Sequence, residues 1–127
     1  MNEDLSYVVQ GNIGRIILNR PNNRNALTFD MYERMKEICR VVGTKEDEKD
    51  VKVLVFSSNS DDAFAAGTDI AQFRNFHEKQ DAINYEHKLE LVMKQIEKCA
   101  VPTIAALNGF VTGGGVSIAA SCAIRIA

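Results

Sequence analysis

The sequence predicts an α/β fold in which helices cover a mainly parallel sheet. Strand-like and helix-like patterns alternate along the 127 residues, without internal repeats, low-complexity segments or linkers. Two apolar runs, VKVLVFSS and VPTIAALN, have the nearly continuous hydrophobicity expected of strands that are buried on both faces. This alternation is typical of a layered α/β domain with parallel pairing, and residues 1–127 are predicted to belong to a single domain.

The chain opens with a predicted hairpin. YVVQ and GRIILNRP are two short strand patterns around the turn GNIG, and Pro21 with NNRN ends the second of them. A helix follows, because Thr28 is a suitable N-cap, Asp30 and Glu33 lie in the first turn, and Gly43 is placed to end it. Its apolar residues recur at helical spacing: Met31, Met35, Ile38 and Val42.

A longer second helix is predicted from about Asp81 to Cys99. Its apolar stripe is interpreted as a core face and consists of Ala82, Tyr85, Leu89, Val92, Ile96 and Cys99. A third helix is predicted over GGGVSIAASC, and AIRIA is predicted to be a further strand, whose outer edge would need a cover.

Composition excludes several classes of function. Fifteen basic and seventeen acidic residues give a net charge of -2, which lacks the basic surface of a nucleic-acid-binding protein. No apolar run approaches the roughly 20 residues that span a bilayer, and MNEDLSYVVQ does not resemble a signal peptide, so we expect a cytoplasmic or matrix-like location and no membrane partner. Three widely separated cysteines without a CxxC pattern predict reduced, buried thiols and no metal site.

Two small-residue turns are the candidate sites of chemistry. AAGTDI (65–70) and TGGGVS (112–117) each follow a predicted strand and precede a predicted helix, so each is expected to expose backbone amides. Two such turns on neighbouring strands can direct one N–H each at a single oxygen, as in an oxyanion hole. The alternative is that both are only tight connections. A dinucleotide site is disfavoured because the glycine pattern from Gly113 would need a glycine at Ile118.

Three motifs in order carry a family resemblance that extends over essentially the whole chain. They are NRPNNRNAL (19–27), DDAFAAGTDI (61–70) and PTIAALNGFVTGGGVSIAASC (102–122). Their combination resembles the enoyl-CoA hydratase/isomerase (crotonase) superfamily, and specifically its N-terminal half. The resemblance implies a crotonase-like ββα spiral with parallel sheet layers, apparently truncated. It also implies an acyl-CoA substrate without any other cofactor, a role in fatty acid metabolism, and homotrimers or hexamers.

The resemblance also assigns roles to individual residues. It implies that the backbone amides of Thr68 and Gly114 form the oxyanion hole for the thioester carbonyl and its enolate. Other residues are implied to lie along the coenzyme A moiety or the acyl group: Arg24, Ala26, Leu27, Ala66, Asp69, Ile70, Gly113 and Ser117. Arg24 is either a phosphate ligand or a solvated loop residue, and Asp69 is expected to cap the following helix.

One position departs from the family pattern. Hydratases of the family typically carry a glutamate two residues after the third glycine, where this chain has Ser117, and their second glutamate would lie beyond Ala127. A serine without a neighbouring base cannot activate water near neutral pH. The expected function is therefore an acyl-CoA enzyme, most simply a hydratase (lyase) or isomerase that is inactive as this fragment alone. The alternative is a non-catalytic acyl-CoA-binding or subunit-assembly module.

Overall fold

The computed structural model describes residues 4–60, 63–111 and 113–126. The strands are β1 (Leu5–Gln10), β2 (Ile13–Leu18), β3 (Val53–Ser58), β4 (Ala63–Ala65), β5 (Thr103–Ala106), β6 (Phe110–Val111) and β7 (Ile124–Ile126). The α-helices are α1 (Phe29–Val41), α2 (Lys79–Glu97) and α3 (Gly114–Ser121), and two short 3-10 helices span Pro21–Asn23 and Ile70–Phe73. The predicted α/β alternation is confirmed.

The main sheet has five strands in the order β1-β2-β3-β5-β7. β1 and β2 form the predicted antiparallel hairpin, whereas β2, β3, β5 and β7 pair in parallel. Gln10 pairs with Ile13, so the hairpin turn is shorter than expected and consists of Gly11 and Asn12. Gly11 has a φ of 59°, which suits glycine at the first position of a two-residue hairpin turn.

A second, two-stranded sheet was missed by the sequence analysis. β4 pairs in parallel with β6, with Ala63 opposite Phe110 and Ala65 opposite Val111. The sequence pattern placed the first stretch in the turn segments NSDDAF and AAGTDI, and it assigned no element to the second, between the strand VPTIAALN and the helix GGGVSIAASC. Both strands are very short and β4 is rich in alanine, so neither shows a period-2 pattern or a strong strand propensity.

The helices pack on one another and on the main sheet. Thr28 caps α1 as predicted, since its Oγ1 accepts a hydrogen bond of 3.2 Å from the Met31 N–H. Helix α2 begins two residues before the predicted start and ends before Cys99. Val92 and Ile96 are buried but Ala82 is exposed, so only the C-terminal part of the predicted stripe on α2 is a core face.

The core fills the space between the main sheet and the helices. Its largest fully buried side chains are Ile16, Leu18, Leu27, Met35, Val42, Val51, Leu54, Phe56, Phe64, Val92, Ile96 and Ile118. All three cysteines are free thiols, as predicted; two are buried, and Cys99 is half-buried. In the described part of the chain, no helix has the length and apolarity needed to cross a membrane.

Candidate functional site

The two glycine-containing turns lie side by side. Each follows a strand of the small sheet, and the carboxyl ends of parallel strands meet at the same edge. The turns are in backbone contact, because an ideal Cβ built on Gly113 would lie 3.2 Å from the Gly67 Cα. Gly67 and Gly113 have φ values of 92° and 52°, a conformation that favours glycine at both positions. The expected juxtaposition of the turns is therefore present, although it is built on β4 and β6 rather than on the main sheet.

The first turn is held by a single parallel bridge between Leu27 and Thr68. The Leu27 N–H donates to the Gly67 carbonyl at 2.7 Å, and the Asp69 N–H donates to the Leu27 carbonyl at 2.8 Å. In this parallel bridge, Leu27 uses its own N–H and carbonyl, whereas the opposite segment supplies groups of the two residues that flank Thr68. The Thr68 N–H is therefore not used by the bridge and points away from Leu27.

The second turn leads directly into α3. The first helical bonds are donated by the Val116 and Ser117 N–H groups to the Gly113 carbonyl, at 3.0 and 3.2 Å. The N–H groups of Gly114 and Gly115 precede these bonds and have no acceptor within the helix. They lie at the positive end of the helix dipole, where an anionic oxygen is favoured.

The start of α3 is packed so closely that only glycine fits. A Cβ on Gly114 would lie 2.1 Å from the Tyr32 Oη, and one on Gly115 would lie 2.7 Å from the Ala65 carbonyl oxygen. Real Cβ atoms do not approach other atoms so closely. The glycine triplet is thus explained by close packing as well as by exposed amides, and the two interpretations from the sequence are compatible.

Three hydroxyl groups form a chain beside the two turns. Tyr32 Oη lies 2.8 Å from Thr68 Oγ1, which lies 2.7 Å from Tyr85 Oη. Burial, as the main cause, raises the pKa of Tyr32 to about 12, so its phenol is neutral at physiological pH. The sequence analysis missed Tyr32 and counted Tyr85 only as a core residue. The signal in the sequence was the position of Tyr85 in the apolar stripe of α2, because a buried tyrosine hydroxyl usually has a hydrogen-bond partner.

A cavity of about 180 Å³ opens beside this hydroxyl chain. It lies between α1 and α2. Its lining residues are Phe29, Tyr32, Phe76, Tyr85, Leu89 and Val92, with Glu33, Asp81, Asn84 and Lys88. The rings of Phe29 and Tyr85 are 5.3 Å apart between centroids, so this wall of the cavity is a packed aromatic surface.

Asp69 caps the helix that follows the first turn, as predicted. Its Oδ1 accepts from the Ala71 N–H at 2.9 Å, and its Oδ2 lies 3.0 Å from Arg20 Nη1. The Ala71 bond, followed by the Arg20 bond, lowers the pKa of Asp69 below its usual value. The capped helix is the short 3-10 helix Ile70–Phe73. Arg20 also donates to the Ala26 carbonyl at 2.6 Å, so it ties the first motif to the second.

Asn25 is a further structural residue that the sequence analysis did not single out. It is fully buried with a φ of 56°, and its Oδ1 accepts from the Arg20 N–H at 2.6 Å. Its Nδ2 donates to Ser58 Oγ at 2.6 Å and to the Ala63 carbonyl at 3.1 Å. Asn25 thus holds the loop before α1 against β3 and β4.

The other predicted site residues are dispersed around the turns. Arg24 is exposed and has a φ of 51°, Ala26 and Ala66 are half-buried, and Ile70 is 83% exposed. Leu27 is completely buried; its backbone is bridged to Thr68, and its Cδ1 lies close to Gly114.

Ser117 is half-buried on α3, and its carbonyl accepts from Ser121 Oγ at 2.8 Å. Asp61, Asp62 and Thr112, which belong to the quoted motifs, lie outside the described residues. The part of the chain that the structure describes contains no group of three or more His, Cys, Asp or Glu side chains that could hold a metal ion.

Comparison with known proteins identifies a family. The family profile described as enoyl-CoA hydratase/isomerase matches residues 13–127. The chain is 33% identical over 118 residues to the short-chain-enoyl-CoA hydratase of Clostridium acetobutylicum, covering 93% of this chain and 44% of the relative. It is 35% identical over 112 residues to the crotonyl-CoA hydratase of Syntrophomonas wolfei, covering 88% of this chain and 42% of the relative.

A solved structure agrees with these matches. The enoyl-CoA hydratase/carnithine racemase from Magnetospirillum magneticum superposes with a TM-score of 0.86 at 28% identity, covering 98% of this chain and 46% of that chain. The crotonase-like fold is thereby confirmed. The chain spans less than half the length of these relatives.

Proposed function

Because the chain belongs to the enoyl-CoA hydratase/isomerase family, we propose that it binds an acyl-CoA thioester and stabilises the enolate in an oxyanion hole. The donors are the backbone amides of Thr68 and Gly114. The observation that carries this proposal is the backbone contact between Gly67 and Gly113, which brings the two turns to one place. Preorganised donors stabilise developing negative charge without having to reorient during the reaction.

The chemistry follows from where charge develops. When a proton leaves the carbon next to the thioester, or when a nucleophile adds to the conjugated double bond, negative charge moves onto the carbonyl oxygen. The Thr68 and Gly114 N–H groups donate to that oxygen, and the dipole of α3 adds to the effect at the Gly114 end. Donors that bind the enolate more strongly than the neutral carbonyl lower the barrier.

The coenzyme A moiety extends from the hole along the remaining predicted residues. Arg24, which is exposed, is the proposed ligand of a phosphate, and exposed Ile70 offers apolar surface for the adenine or pantetheine. Ala26, Ala66 and Gly113 contribute through small side chains and backbone. Leu27 and Asp69 act by holding the turns, since the Leu27 side chain is buried and the Asp69 carboxylate already binds Ala71 and Arg20.

Hydration or double-bond isomerisation of an enoyl-CoA is the reaction proposed for the whole protein. Ser117 occupies the position at which the family's hydratases typically carry a glutamate, and its backbone is hydrogen-bonded to Gly113 and Ser121 within α3. This observation favours isomerisation or another enolate reaction that uses a base elsewhere. It also favours the second candidate, an acyl-CoA-binding or assembly module without turnover. Assembly into homotrimers or hexamers and a cytoplasmic location belong to the same proposal.

Incubation with a 2-enoyl-CoA tests the function directly. Binding, followed by loss of the conjugated absorbance, supports the enzyme; binding without that loss supports the module. Free coenzyme A and a saturated acyl-CoA are the controls, because they share the binding contacts but lack the conjugated double bond. If neither thioester binds more tightly than free coenzyme A, the acyl-CoA site itself is refuted.

A further inference from the structure

The hydroxyl of Tyr32 contacts both turns of the proposed oxyanion hole. It hydrogen-bonds to Thr68 Oγ1 at 2.8 Å, and it lies so close to Gly114 that an added Cβ would be 2.1 Å from Oη. Tyr32 is only 3% exposed and belongs to the hydrophobic core, although part of it lines the cavity between α1 and α2. One buried oxygen therefore touches the two residues whose amides must converge.

Tyr32 also connects the hole to the rigid part of the fold. Helix α1 is fixed at its start by the Thr28 cap, and the Phe29 N–H donates to Gln72 Oε1 at 2.9 Å in the 3-10 helix after the first turn. The Leu27–Thr68 bridge joins the start of α1 to the first turn, and the Gln72 bond joins it to the helix that follows this turn. Tyr32 additionally reaches the second turn, so movement of α1 would change the spacing of the turns.

The chain of three hydroxyl groups restricts the orientation of Thr68. Tyr32, Thr68 and Tyr85 carry three hydroxyl protons and share two hydrogen bonds. Because Thr68 Oγ1 has a phenol on both sides, its side chain is fixed in one orientation, and the orientation of the side chain is coupled to that of its own backbone amide. The phenol of Tyr32 remains protonated at neutral pH, so its bond to Thr68 keeps a neutral phenol under working conditions.

We propose that Tyr32 is a positioning residue of the oxyanion hole: its hydroxyl, bonded to Thr68 and packed against Gly114, sets the distance and direction of the two amides. This inference rests on the proposed function, since it assumes that those amides bind the thioester oxygen. Tyr85 bonds to the same threonine but, unlike Tyr32, is not among the nearest contacts of Gly114. The two tyrosines are thus distinguishable.

The test measures the carbonyl stretch of a bound acyl-CoA by isotope-edited infrared difference spectroscopy. Hydrogen bonds from the hole polarise the thioester carbonyl and lower its stretching frequency relative to the free thioester. In Tyr32→Phe we expect most of this red shift to be lost, with the dissociation constant of free coenzyme A unchanged. Thr68→Val, which keeps the backbone amide and the shape but removes the hydroxyl, should lose the shift in the same way.

Two phenol-to-phenyl variants serve as controls. Tyr85→Phe removes a hydroxyl from the chain but leaves the Tyr32–Thr68 bond and the Gly114 contact, so it should keep most of the red shift. Tyr7→Phe removes a hydroxyl from β1 and should keep all of it. A red shift that persists in Tyr32→Phe, or that is lost equally in Tyr85→Phe, overturns the positioning role of Tyr32. If Tyr32→Phe does not fold, as judged by circular dichroism, Thr68→Val and Tyr85→Phe decide the question together: loss of the shift in Thr68→Val alone supports the role of Tyr32, and its loss in both or in neither overturns that role. If the wild-type protein binds acyl-CoA without any red shift, the proposed oxyanion hole is wrong. The positioning role of Tyr32 is then wrong as well, because it depends on that hole.

Discussion

The Tyr32 hydroxyl lies against the backbone of Gly114, so a Cβ at that position would be 2.1 Å from Oη. The next nearest atoms would be the Tyr32 Cζ at 3.3 Å and the Leu27 Cδ1 at 3.4 Å, and these separations require shifts of only a few tenths of an ångström. The need for glycine at position 114 is therefore due mainly to one oxygen atom on α1.

Gly114→Ala should destabilise the protein and weaken acyl-CoA binding. The added methyl group must displace either Tyr32 or the start of α3, and overpacking of this kind costs about 1–3 kcal/mol, partly offset by the better helix propensity of alanine. Chemical denaturation measures the first effect, and titration with an acyl-CoA measures the second.

The same substitution should be much better tolerated in a Tyr32→Phe background. The phenyl ring lacks the oxygen that causes the clash, so the two changes should show a coupling energy of about 1 kcal/mol or more in a double-mutant cycle. Additive effects of the two substitutions on the free energy of unfolding would mean that the clash is relieved elsewhere.

Asp69→Asn should cost stability in a pH-dependent way. Asparagine keeps the cap to Ala71 but loses the charged bond to Arg20, which is worth about 1.5 kcal/mol. Because the pKa of Asp69 is lowered in the folded protein, its contribution is complete above the ordinary carboxyl pKa of about 4 and disappears as the pH falls through the folded value.

The check for Asp69 is urea denaturation of both proteins between pH 7 and pH 3. The difference in free energy of unfolding should be largest at pH 7 and should shrink towards pH 3. A difference that stays constant over this range would show that the carboxylate charge is not what stabilises the turn. Asp69→Ala, which also removes the cap, should cost about 1 kcal/mol more at pH 7.

Asn25→Ala should be strongly destabilising. It leaves the Arg20 N–H without its side-chain acceptor and the Ala63 carbonyl with only the Ser58 hydroxyl as a donor, at a cost of about 1–3 kcal/mol. Asn25→Gly is the matched control for the backbone, because glycine adopts the φ of 56° without strain. In thermal or chemical unfolding, the wild type should be the most stable, Asn25→Gly less stable and Asn25→Ala the least stable. If Asn25→Gly is as stable as the wild type, the hydrogen bonds of the Asn25 amide do not contribute to stability.

Cys99 should react first with alkylating reagents. A hydrogen bond from the Cys39 thiol is the main cause that lowers the pKa of Cys99 to about 7, and burial opposes it. Burial raises the pKa of Cys122 to about 11, and Cys39 is also shifted upwards. Because the thiolate is the nucleophile, iodoacetamide should label Cys99 with a pH midpoint near 7.

Mass spectrometry of the labelled peptides measures this selectivity. Cys39→Ala removes the thiol donor and should slow labelling of Cys99 at pH 7, whereas Cys39→Ser keeps a donor and should preserve it. Equal labelling of the three cysteines in the native protein would contradict the assigned pKa order.

The strong local patterns allowed most of the fold to be predicted from the sequence. The hairpin, the α1 cap at Thr28 and the buried strands β3 and β5 each carry a signal within a few residues. The small sheet does not, because β4 and β6 have only three and two residues and are defined by their pairing with each other. Ala82 was misassigned to the core because helical spacing defines a face of α2 but not how far its partners extend.

The site could be predicted only as two turns. Their glycine and small-residue composition predicted exposed amides at both turns, and the family resemblance implied that Thr68 and Gly114 are the donors. The contact between Gly67 and Gly113 agrees with the predicted proximity of the turns. Tyr32 was not identifiable, because its role depends on the crossing of α1 over the start of α3, which brings residues 82 positions apart in sequence into contact. The same holds for the Arg20–Asp69 pair.

The most direct test of the oxyanion hole follows the two amides themselves in a ¹⁵N–¹H correlation spectrum during titration with a 2-enoyl-CoA. The Thr68 and Gly114 amide protons should move downfield with the acyl-CoA and remain in place with free coenzyme A, because only the thioester supplies the oxygen that they bind. If acyl-CoA binds and shifts other resonances while these two amides stay unchanged, the thioester carbonyl is held elsewhere and the proposed site is wrong.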